Sequence, residues 1–368
     1  MEILVRILLL LLVLSVDQVH AERVDTVMVN DSADSLKTKE VSKIRETIRG
    51  FDRTQDDYIE PNHFEFSVMF QATRTFENFV LSSNNQSIEL APDGLTKIGP
   101  YFGWRWLFFG YTFDIKNFGF NSSNARKEFD LSIYSSQVGV DLYYRRSGSD
   151  YKIRDVKLDN GIDSELFEGM PFAGVKVGIT GISAYYIFNH EHFSYPAAFS
   201  QSTCQKISCG SWMAGAGYTH NTLELDFSAL QKAINDRMLA GQEIKLDSGM
   251  MFNSIKYNDF MLSAGYAYNW VFAKNWLFCA SGQLAVAYKT SYGNTADEKK
   301  GFDIKKVNPD VIGRFALVYN NVRWYAGASA ILRTNNYHTS QFKANNMYGT
   351  LSAYVGYNFV LKKKYKKK

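Results

Sequence analysis

Long apolar runs, proline and net charge are all scarce in this chain of 368 residues. Beyond residue 16, no stretch reaches the roughly 18 consecutive apolar residues of a membrane-spanning helix, so we expect no helical span. Only 6 prolines are present, which leaves room for long strands. The formal net charge of +4 does not indicate nucleic acid as a partner. The sequence also lacks a phosphate loop, a dinucleotide fingerprint and a metal-ligand cluster, so we expect no cofactor.

Aromatic residues and glycine are abundant instead, with 27 Phe, 23 Tyr and 26 Gly. Their pattern is clearest in residues 258–289, where two alternating runs flank Ala273-Lys274-Asn275. Side chains alternate across a strand, so the pattern predicts two strands, each longer than the ~5–6 residues usual in soluble proteins. One face is apolar and the other small or polar, which is typical of a transmembrane β-barrel. The apolar face comprises Phe260, Leu262, Ala264, Tyr266, Tyr268, Trp270 and Phe272, followed by Trp276, Phe278, Ala280, Leu284, Val286 and Tyr288.

The same alternation recurs along the chain and predicts an all-β fold, a transmembrane antiparallel β-barrel of about twelve strands (about 10–14). Short turns near residues 103, 135, 273 and 320 would share the periplasmic end. Longer polar segments near 84, 121, 147, 223, 291 and 337 would share the outer end. Short periplasmic turns, long outer loops and an even strand number are the rule for outer-membrane barrels. The apolar phase shifts near Gly181, which predicts a β-bulge in the sixth strand.

Charged residues of both signs fall on the inward face of the predicted strands. They would either line a selective pore or form a salt-bridged interior that fills a narrow barrel. The inward set comprises Glu65, Asp114, Asp141, Arg145, Lys176, Lys289, Arg314, Arg323 and Arg333. An insertion at residues 223–256, helical around 227–240, would lie on the cell surface. It is the first place to look for a ligand or partner.

The N-terminus reads as a targeting segment, and the C-terminus is basic. Arg6 precedes an apolar run at residues 7–16, and Val19-His20-Ala21 offers small residues for cleavage, so we predict a signal peptide over residues 1–21. A polar periplasmic lead-in would follow at 22–57, then the barrel at 58–361 and a basic C-terminal tail at 362–368. The tail would be solvated or would contact anionic lipid headgroups. The expected location is the bacterial outer membrane.

Two motifs suggest a family. The first reads Asp57-Tyr58-Ile59-Glu60-Pro61-Asn62 and continues to Gln71, and the second spans residues 193–211. Together they resemble a Bacteroidetes family of uncharacterised outer-membrane β-barrel proteins, domain of unknown function 4421. The resemblance would run from about residue 56 to the C-terminus. It implies a barrel and no activity. The motif residues are Tyr58, Pro61, Asn62, Gln71, Phe193, Ser194, Tyr195, Gln201, Gln205, Lys206, Ser208, Gly210 and Ser211.

Residues 189–206 interrupt the strands on the short-turn side, where a long segment is unexpected. They would form a plug, an inward-folded lid or a docking site, or else a structured turn that seals the barrel floor. Cys204 and Cys209 lie close enough in sequence to pair in an oxidising compartment, or they remain thiols without a role.

The predicted function is a narrow channel, a transporter or an envelope-structural protein, with outer-membrane lipid and the assembly machinery as partners. We predict no catalytic residues. The first alternative is an outer-membrane lipid hydrolase, which would need a Ser-His site at the outer lipid interface. Only His220 and His338 are expected near that rim, and neither has a serine motif beside it. The second alternative is a secreted β-rich binding protein.

Overall fold

A computed structural model describes residues 54–104, 107–110, 113–115, 127–147, 150–158, 164–237, 244–251, 254–292, 307–338 and 342–366. The predicted signal peptide, most of the predicted lead-in and the predicted loop at 121–126 lie outside the described residues. None of the described helices is both long enough and apolar enough to cross a membrane.

Strands make up most of the described chain. They are β1 (Ile59–Pro61), β2 (Phe64–Ser83), β3 (Gln86–Pro92), β4 (Leu95–Trp104), β5 (Leu107–Gly110), β6 (Phe113–Asp114), β7 (Lys127–Tyr134), β8 (Val138–Arg146), β9 (Tyr151–Lys157), β10 (Val175–Ile187), β11 (Thr203–Gln205), β12 (Cys209–Leu225), β13 (Ser254–Ala273), β14 (Trp276–Tyr292), β15 (Val307–Asn320), β16 (Trp324–His338) and β17 (Lys343–Leu361). The α-helices are α1 (Tyr195–Phe199) and α2 (Phe227–Asn235). Single 3-10 turns occupy Ser164–Leu166, Ser248–Met250 and Lys363–Tyr365.

The long strands form one curled antiparallel sheet. Its order among the described strands is β5-β4-β2-β17-β16-β15-β14-β13-β12-β10-β8-β7, so the first and last long strands of the chain, β2 and β17, pair side by side. Side chains also connect β7, at one end of this order, to β4 and β2 near the other end. Lys97 Nζ on β4 lies 2.9 Å from Glu128 on β7, and Thr75 on β2 bonds the same carboxylate. The twelve strands of this order therefore make a barrel, as the alternation predicts.

The outside of the barrel is apolar. Leu262 is 71% exposed and Leu284 70%, which soluble surfaces rarely tolerate in a continuous band. Every described tryptophan is exposed and lies near the end with the short turns: Trp104, Trp212, Trp270, Trp276 and Trp324. An apolar band with an aromatic girdle at the membrane interface is the exterior of a transmembrane β-barrel.

The short turns define one end of the barrel, which we name the turn end. Ser135 caps the turn between β7 and β8 by accepting the N–H of Val138 at 2.9 Å. The β13–β14 hairpin turns on Lys274 and Asn275 alone, because β13 continues through Ala273, and Asn275 takes the left-handed conformation with a φ of 67°. The predicted three-residue turn is therefore one residue too long.

The opposite end is closed by an apolar cluster that we name the dome, with Leu81, Ile88, Leu90, Ile153, Phe167 and Val175 among its buried members. The segment after β8, expected to be a polar loop, contains β9, which pairs with β3 in this cluster. The insertion after β12 also packs here. Leu230 and Ile234 of α2 are buried in the dome, and Asp226 caps the helix by accepting the N–H of Ala229 at 2.9 Å. The described part of the insertion covers the barrel and does not project from it.

Gly181 does not mark a β-bulge, so that prediction is wrong. The registers of β10 with β8 and with β12 run without a break. The apolar residues of β10 change face near Gly181 because Val175, Val177 and Ile179 are apolar although they face inward, into the dome. Gly181 lies directly opposite Tyr143, and the tyrosine ring fills the space that a side chain would take. Gly139 with Tyr185, Gly327 with Tyr354 and Gly356 with Tyr325 repeat this pairing.

Replacing Gly181 with alanine is expected to destabilise the barrel by about 1–3 kcal/mol through overpacking. The added Cβ would lie 2.3 Å from Cζ of Tyr143, whose hydroxyl is held by Thr219 at 2.8 Å. Gly282→Ala is the matched control, because nothing lies within 4 Å of its Cβ position. Urea unfolding in lipid vesicles measures both. Equal stability of the two variants would contradict the Tyr–Gly packing.

Candidate functional site: the filled lumen

The two family motifs meet at the turn end, although they are far apart in sequence. β1 pairs with β11 to form a two-stranded sheet in which Glu60 faces Cys204 and Pro61 faces Thr203. Asn62 accepts the N–H of Phe64 at 2.9 Å and donates its own N–H to Ser202 O at 3.2 Å. The first motif therefore leads the chain into β2 while it holds the second motif in place.

Gln205 is the centre of this assembly. Its Nε2 donates to the carbonyls of His192 at 2.6 Å, Ile207 at 3.0 Å and Tyr58 at 3.4 Å. Its Oε1 accepts from Ser194 N at 2.8 Å and from Asn269 Nδ2 at 3.0 Å. One buried amide thus ties together both motifs and the barrel wall. Such a network is stable only if its members are satisfied together.

Residues 193–199 enter the lumen, and we name residues 189–208 the plug. Ser194 caps α1 by accepting the N–H of Ala197, and Pro196 suits the first turn, so even this short helix is locally encoded. Tyr195 is fully buried, and its hydroxyl donates to Ser281 on β14 at 3.0 Å. Phe193, Ala197 and Ala198 are buried beside it. Burying such apolar side chains contributes about 1.5–3 kcal/mol each for the larger ones.

The remaining motif residues hold the edges of the plug, with one exception. Lys206 Nζ donates to Asp56 O at 3.0 Å, Ser208 Oγ accepts from Val271 N at 2.9 Å, and Ser211 Oγ accepts from Asn189 N at 2.9 Å. The exception is Gln71, which faces the lumen from β2 and bonds Thr73 and Ser352. The other residue named from the motif is Gly210, which lies opposite Tyr268 with the ring of Tyr266 over it.

Four wall residues that hold the plug were not singled out from the sequence as site residues. Asn269 Nδ2 donates to Ser194 O at 2.8 Å, and Gln201 Nε2 donates to Tyr354 Oη at 2.6 Å. Ser281 accepts from Tyr195, and Asn320 Nδ2 donates to Gln201 O at 3.5 Å. Strand alternation predicts that Asn269, Ser281 and Tyr354 face the lumen. It does not predict which residues they bond.

The three cysteines, Cys204, Cys209 and Cys279, are free thiols. The possible Cys204–Cys209 pairing is therefore not formed. Cys204 lies in β11 with its Sγ near Asn320 O at 3.8 Å, whereas Cys209 begins β12 and accepts from Asn189 Nδ2 at 3.2 Å. Burial raises the pKa of the Cys204 thiol to about 12. Because the thiolate is the reactive form, this thiol is poorly suited to exchange.

A buried ionic group fills the lumen beyond the plug. Asp141 on β8 is paired with Arg314 on β15 and with Arg333 on β16 at 2.9 Å. The guanidinium of Arg314 also lies over Tyr185 and Tyr195, which links the ionic group to the plug. Strands on different sides of the barrel therefore meet at one carboxylate.

A second ionic group of opposite balance lies towards the dome. Lys289 Nζ is 3.0 Å from Asp259 and 3.5 Å from Asp310, and it also bonds Asn335. Two carboxylates thus surround one ammonium here, whereas two guanidinium groups surround one carboxylate in the first group. The two groups compensate each other's formal charge. The lumen therefore has the salt-bridged interior that was one of the two predictions for its inward charges.

Two members of the predicted inward set do not face the lumen. Lys176 is exposed, and its ion pair is with Glu224 at 3.3 Å. Arg323 lies in the turn before β16 and packs over Phe64 and Tyr357 at the turn end. Lys176 is predicted inside because a bulge at Gly181 would exchange the faces of β10, and without the bulge its position faces outward. The prediction for Arg323 is wrong because a turn residue does not keep the parity of the barrel wall.

Two small cavities lie among the described residues of the lumen. They share Tyr143, Arg333 and Tyr348 in their linings, and they leave about 20 and 40 Å³ for the centres of water molecules. One water needs roughly 10–15 Å³ by this measure. Each cavity therefore holds no more than a few waters. Plug, ionic groups and dome follow one another through the described lumen.

The two histidines considered for catalysis lie apart. His220 is on β12 and His338 ends β16, with three strands between them in the sheet. His220 Nδ1 is 2.7 Å from Asn258 Oδ1, and His338 Nε2 is 3.2 Å from Asn345 Oδ1. The geometry does not bring the pair together.

These features define the class: a transmembrane antiparallel β-barrel whose described lumen is filled by its own side chains. Residues 52–359 match the family model described as a domain of unknown function (DUF4421), and the chain belongs to that family. No curated protein matches it.

Several solved structures are distantly similar. The outer membrane protease OmpT from Escherichia coli shares 8% identity at a TM-score of 0.30, covering 82% of this chain and 98% of that one. The translocator domain of autotransporter NalP from Neisseria meningitidis shares 9% identity at a TM-score of 0.29, covering 89% of this chain and 98% of that one. The toluene transporter TodX from P. putida shares 7% identity at a TM-score of 0.25, covering 81% of this chain and 91% of that one. At these scores the similarities carry no argument about activity.

Proposed function

We propose that the protein is an outer-membrane β-barrel with an envelope-structural role, closed to passive flow in the conformation described. The observation that carries the proposal is the filled lumen: a plug at one end, paired charges in the middle and an apolar dome at the other. An open channel needs a continuous aqueous path. A barrel that is packed throughout resembles a protein core and offers the membrane a rigid anchor.

The proposal includes an orientation and partners. The turn end would face the periplasm and the dome the cell surface, since short turns are periplasmic in outer-membrane barrels. The apolar band would contact outer-membrane lipid. Insertion would depend on the assembly machinery, after export by a signal peptide at residues 1–21.

Tryptophan fluorescence tests the membrane part of the proposal. Because the described tryptophans lie at one rim, phospholipids brominated near the headgroup are expected to quench them more strongly than phospholipids brominated at the chain end. Vesicle-reconstituted protein is the sample. A soluble β-rich binding protein, which is the alternative, would show no quenching by either lipid.

A gated transporter is the second candidate, and the polar attachment of the plug favours it. Gln201, Gln205 and Tyr195 hold the plug to the wall by hydrogen bonds rather than by covalent links. Hydrogen bonds of this kind contribute only about 0.5–1.5 kcal/mol net each, so a partner could displace them. A gated barrel must conduct at intervals, whereas a structural barrel stays closed.

We further propose that the chain is not an enzyme. A lipid hydrolase needs a nucleophile, a base and an orienting group within hydrogen-bond reach of one another. An asparagine could orient each imidazole, but the described hydrogen bonds of His220 and His338 include no serine hydroxyl that would act as nucleophile, which supports the non-enzymatic proposal. Phospholipid cleavage by the purified protein would overturn it.

A further inference from the structure

One sector of the turn-end rim combines an aromatic ladder with fixed cations. The ladder crosses β16, β17, β2 and β4 on the outer face. Trp324 lies 4.5 Å from Tyr357, Phe66 lies 5.8 Å from Phe359 and 5.7 Å from Phe102, all between ring centroids. Such a ladder places aromatic rings side by side at the level where a membrane meets water.

The C-terminal tail is attached to this sector. After β17, Lys362 donates its N–H to His63 O at 2.9 Å and its Nζ to Asn62 O at 2.7 Å. Tyr365 packs on the ring of His63 with centroids 4.1 Å apart. The 3-10 turn Lys363–Tyr365 is therefore held against the barrel and is not merely a solvated end.

The positive charges of this sector are exposed while their backbone is anchored. Lys363, Lys364 and Lys366 are all exposed. Arg323 joins them, placed by its packing over Phe64 and Tyr357 at 5.7 and 5.9 Å. Among the described residues the acidic side chains nearby are Glu60, 3.4 Å from His63 Nε2, and Glu65, which follows Phe64 on β2. Four exposed cations beside two carboxylates leave a local excess of positive charge.

We propose that this sector, which we name the basic rim, is a binding site for anionic phospholipid headgroups. The proposal rests on the proposed membrane location. The lipid phosphate would lie among Arg323, Lys363, Lys364 and Lys366, and the acyl chains would continue along the ladder and onto the exposed Val360 and Leu361. Charge complementarity and continuity with the apolar band together select a lipid rather than a free phosphate, which has no apolar part.

The test uses Trp324 as the reporter, in a variant where it is the single tryptophan. Fluorescence quenching is compared between vesicles that contain brominated phosphatidylglycerol and vesicles that contain brominated phosphatidylcholine. The unmodified rim is expected to favour the anionic lipid at least about fivefold, the ratio that one lysine near an anionic surface provides. The quadruple variant Arg323→Gln/Lys363→Gln/Lys364→Gln/Lys366→Gln, which removes every cation of the site, is expected to lose this preference.

Lys274→Gln is the matched control, because Lys274 is an exposed turn residue of the same end but belongs to the β13–β14 hairpin. It is expected to leave the preference at Trp324 intact. Equal quenching by the two lipids with the unmodified rim would overturn the basic rim, as would a preference that survives the quadruple change. Quenching by neither lipid would instead contradict the membrane location itself, so the two failures are distinguishable.

Discussion

Replacing Asp141 with asparagine is expected to lower the free energy of unfolding by about 3–5 kcal/mol, the range for breaking a buried ion pair from one side. The change leaves the guanidinium groups of Arg314 and Arg333 in the lumen without their carboxylate. The side chain of Asp141 is only 2% exposed, so bulk solvent cannot replace the lost carboxylate. The measurement is urea unfolding of the vesicle-reconstituted protein, with the folded fraction read from heat-modifiable migration on a gel.

Asp93→Asn is a matched control for this variant. Asp93 also has two cationic partners, Lys152 at 2.7 Å and Arg154 at 3.0 Å, but its side chain is 49% exposed. Hydrogen bonds from Lys152 and Arg154 lower the pKa of its carboxyl. An exposed pair contributes only about 0–1 kcal/mol. If the two variants lost similar stability, the lumen would not be the filled interior described here.

The triple variant Asp141→Leu/Arg314→Met/Arg333→Met separates charge from packing. Replacing a whole buried ionic group by apolar side chains of similar volume is often neutral or stabilising. Stability close to that of the unmodified protein is therefore expected. A loss as large as that of Asp141→Asn would show that the hydrogen-bond geometry itself, rather than the unpaired charge, holds the strands together.

Replacing Tyr195 with alanine is expected to release the plug and expose the thiol beneath it. Cys279 is fully buried in the same apolar cluster as Tyr195. Truncating a buried aromatic side chain to alanine costs about 3–5 kcal/mol. If that loss lowers the free energy of local opening at the plug, the rate of maleimide labelling at Cys279 rises by about 100-fold or more. Cys204→Ser and Cys209→Ser in the background leave Cys279 as the single thiol.

Tyr268→Ala controls for the loss of a tyrosine at the same depth. Tyr268 lies next to Asn269 on β13, but it faces outward and is 44% exposed. Its removal is expected to leave labelling at Cys279 slow. Fast labelling in the protein with Tyr195 intact, or equal rates in both variants, would contradict a plug that seals the floor.

The barrel itself follows from the sequence because alternation is a local pattern. Phe260 and Leu262 are apolar and face lipid, Asp259 and Ser263 are polar and face the lumen, and a slip of one residue would turn the apolar face inward. Pairing strengthens the pattern: Tyr268 lies opposite Ala280 and Phe260 opposite Tyr288, so the two apolar runs of the opening hairpin share one face. The strand order then follows from short connections between neighbours.

The contents of the lumen could not be read in the same way. Parity places Asp141, Arg314 and Arg333 inside, but strand alternation carries no information about which strands face each other across a curled sheet. Lys289 has the same parity, yet its partners are Asp259 and Asp310. The closure of the barrel, not any one strand, decides these pairings.

The plug shows a second limit. Residues 193–205 lack alternation, and their conformation is determined by side-chain contacts with distant wall residues such as Asn269 and Tyr354. The prediction of a bulge near Gly181 was wrong for a related reason. Val177 and Ile179 are apolar and inward because the cluster around them is a soluble-type core beyond the membrane. Polarity there no longer distinguishes lumen from lipid.

Single-barrel conductance in planar phospholipid bilayers tests the closed lumen most directly. The purified, unmodified protein is expected to insert without producing current steps, because plug, ionic groups and dome block the described lumen in series. Brief, rare openings would favour the gated transporter over the structural barrel. Sustained current steps of constant size on every insertion would contradict a filled lumen and restore the narrow channel.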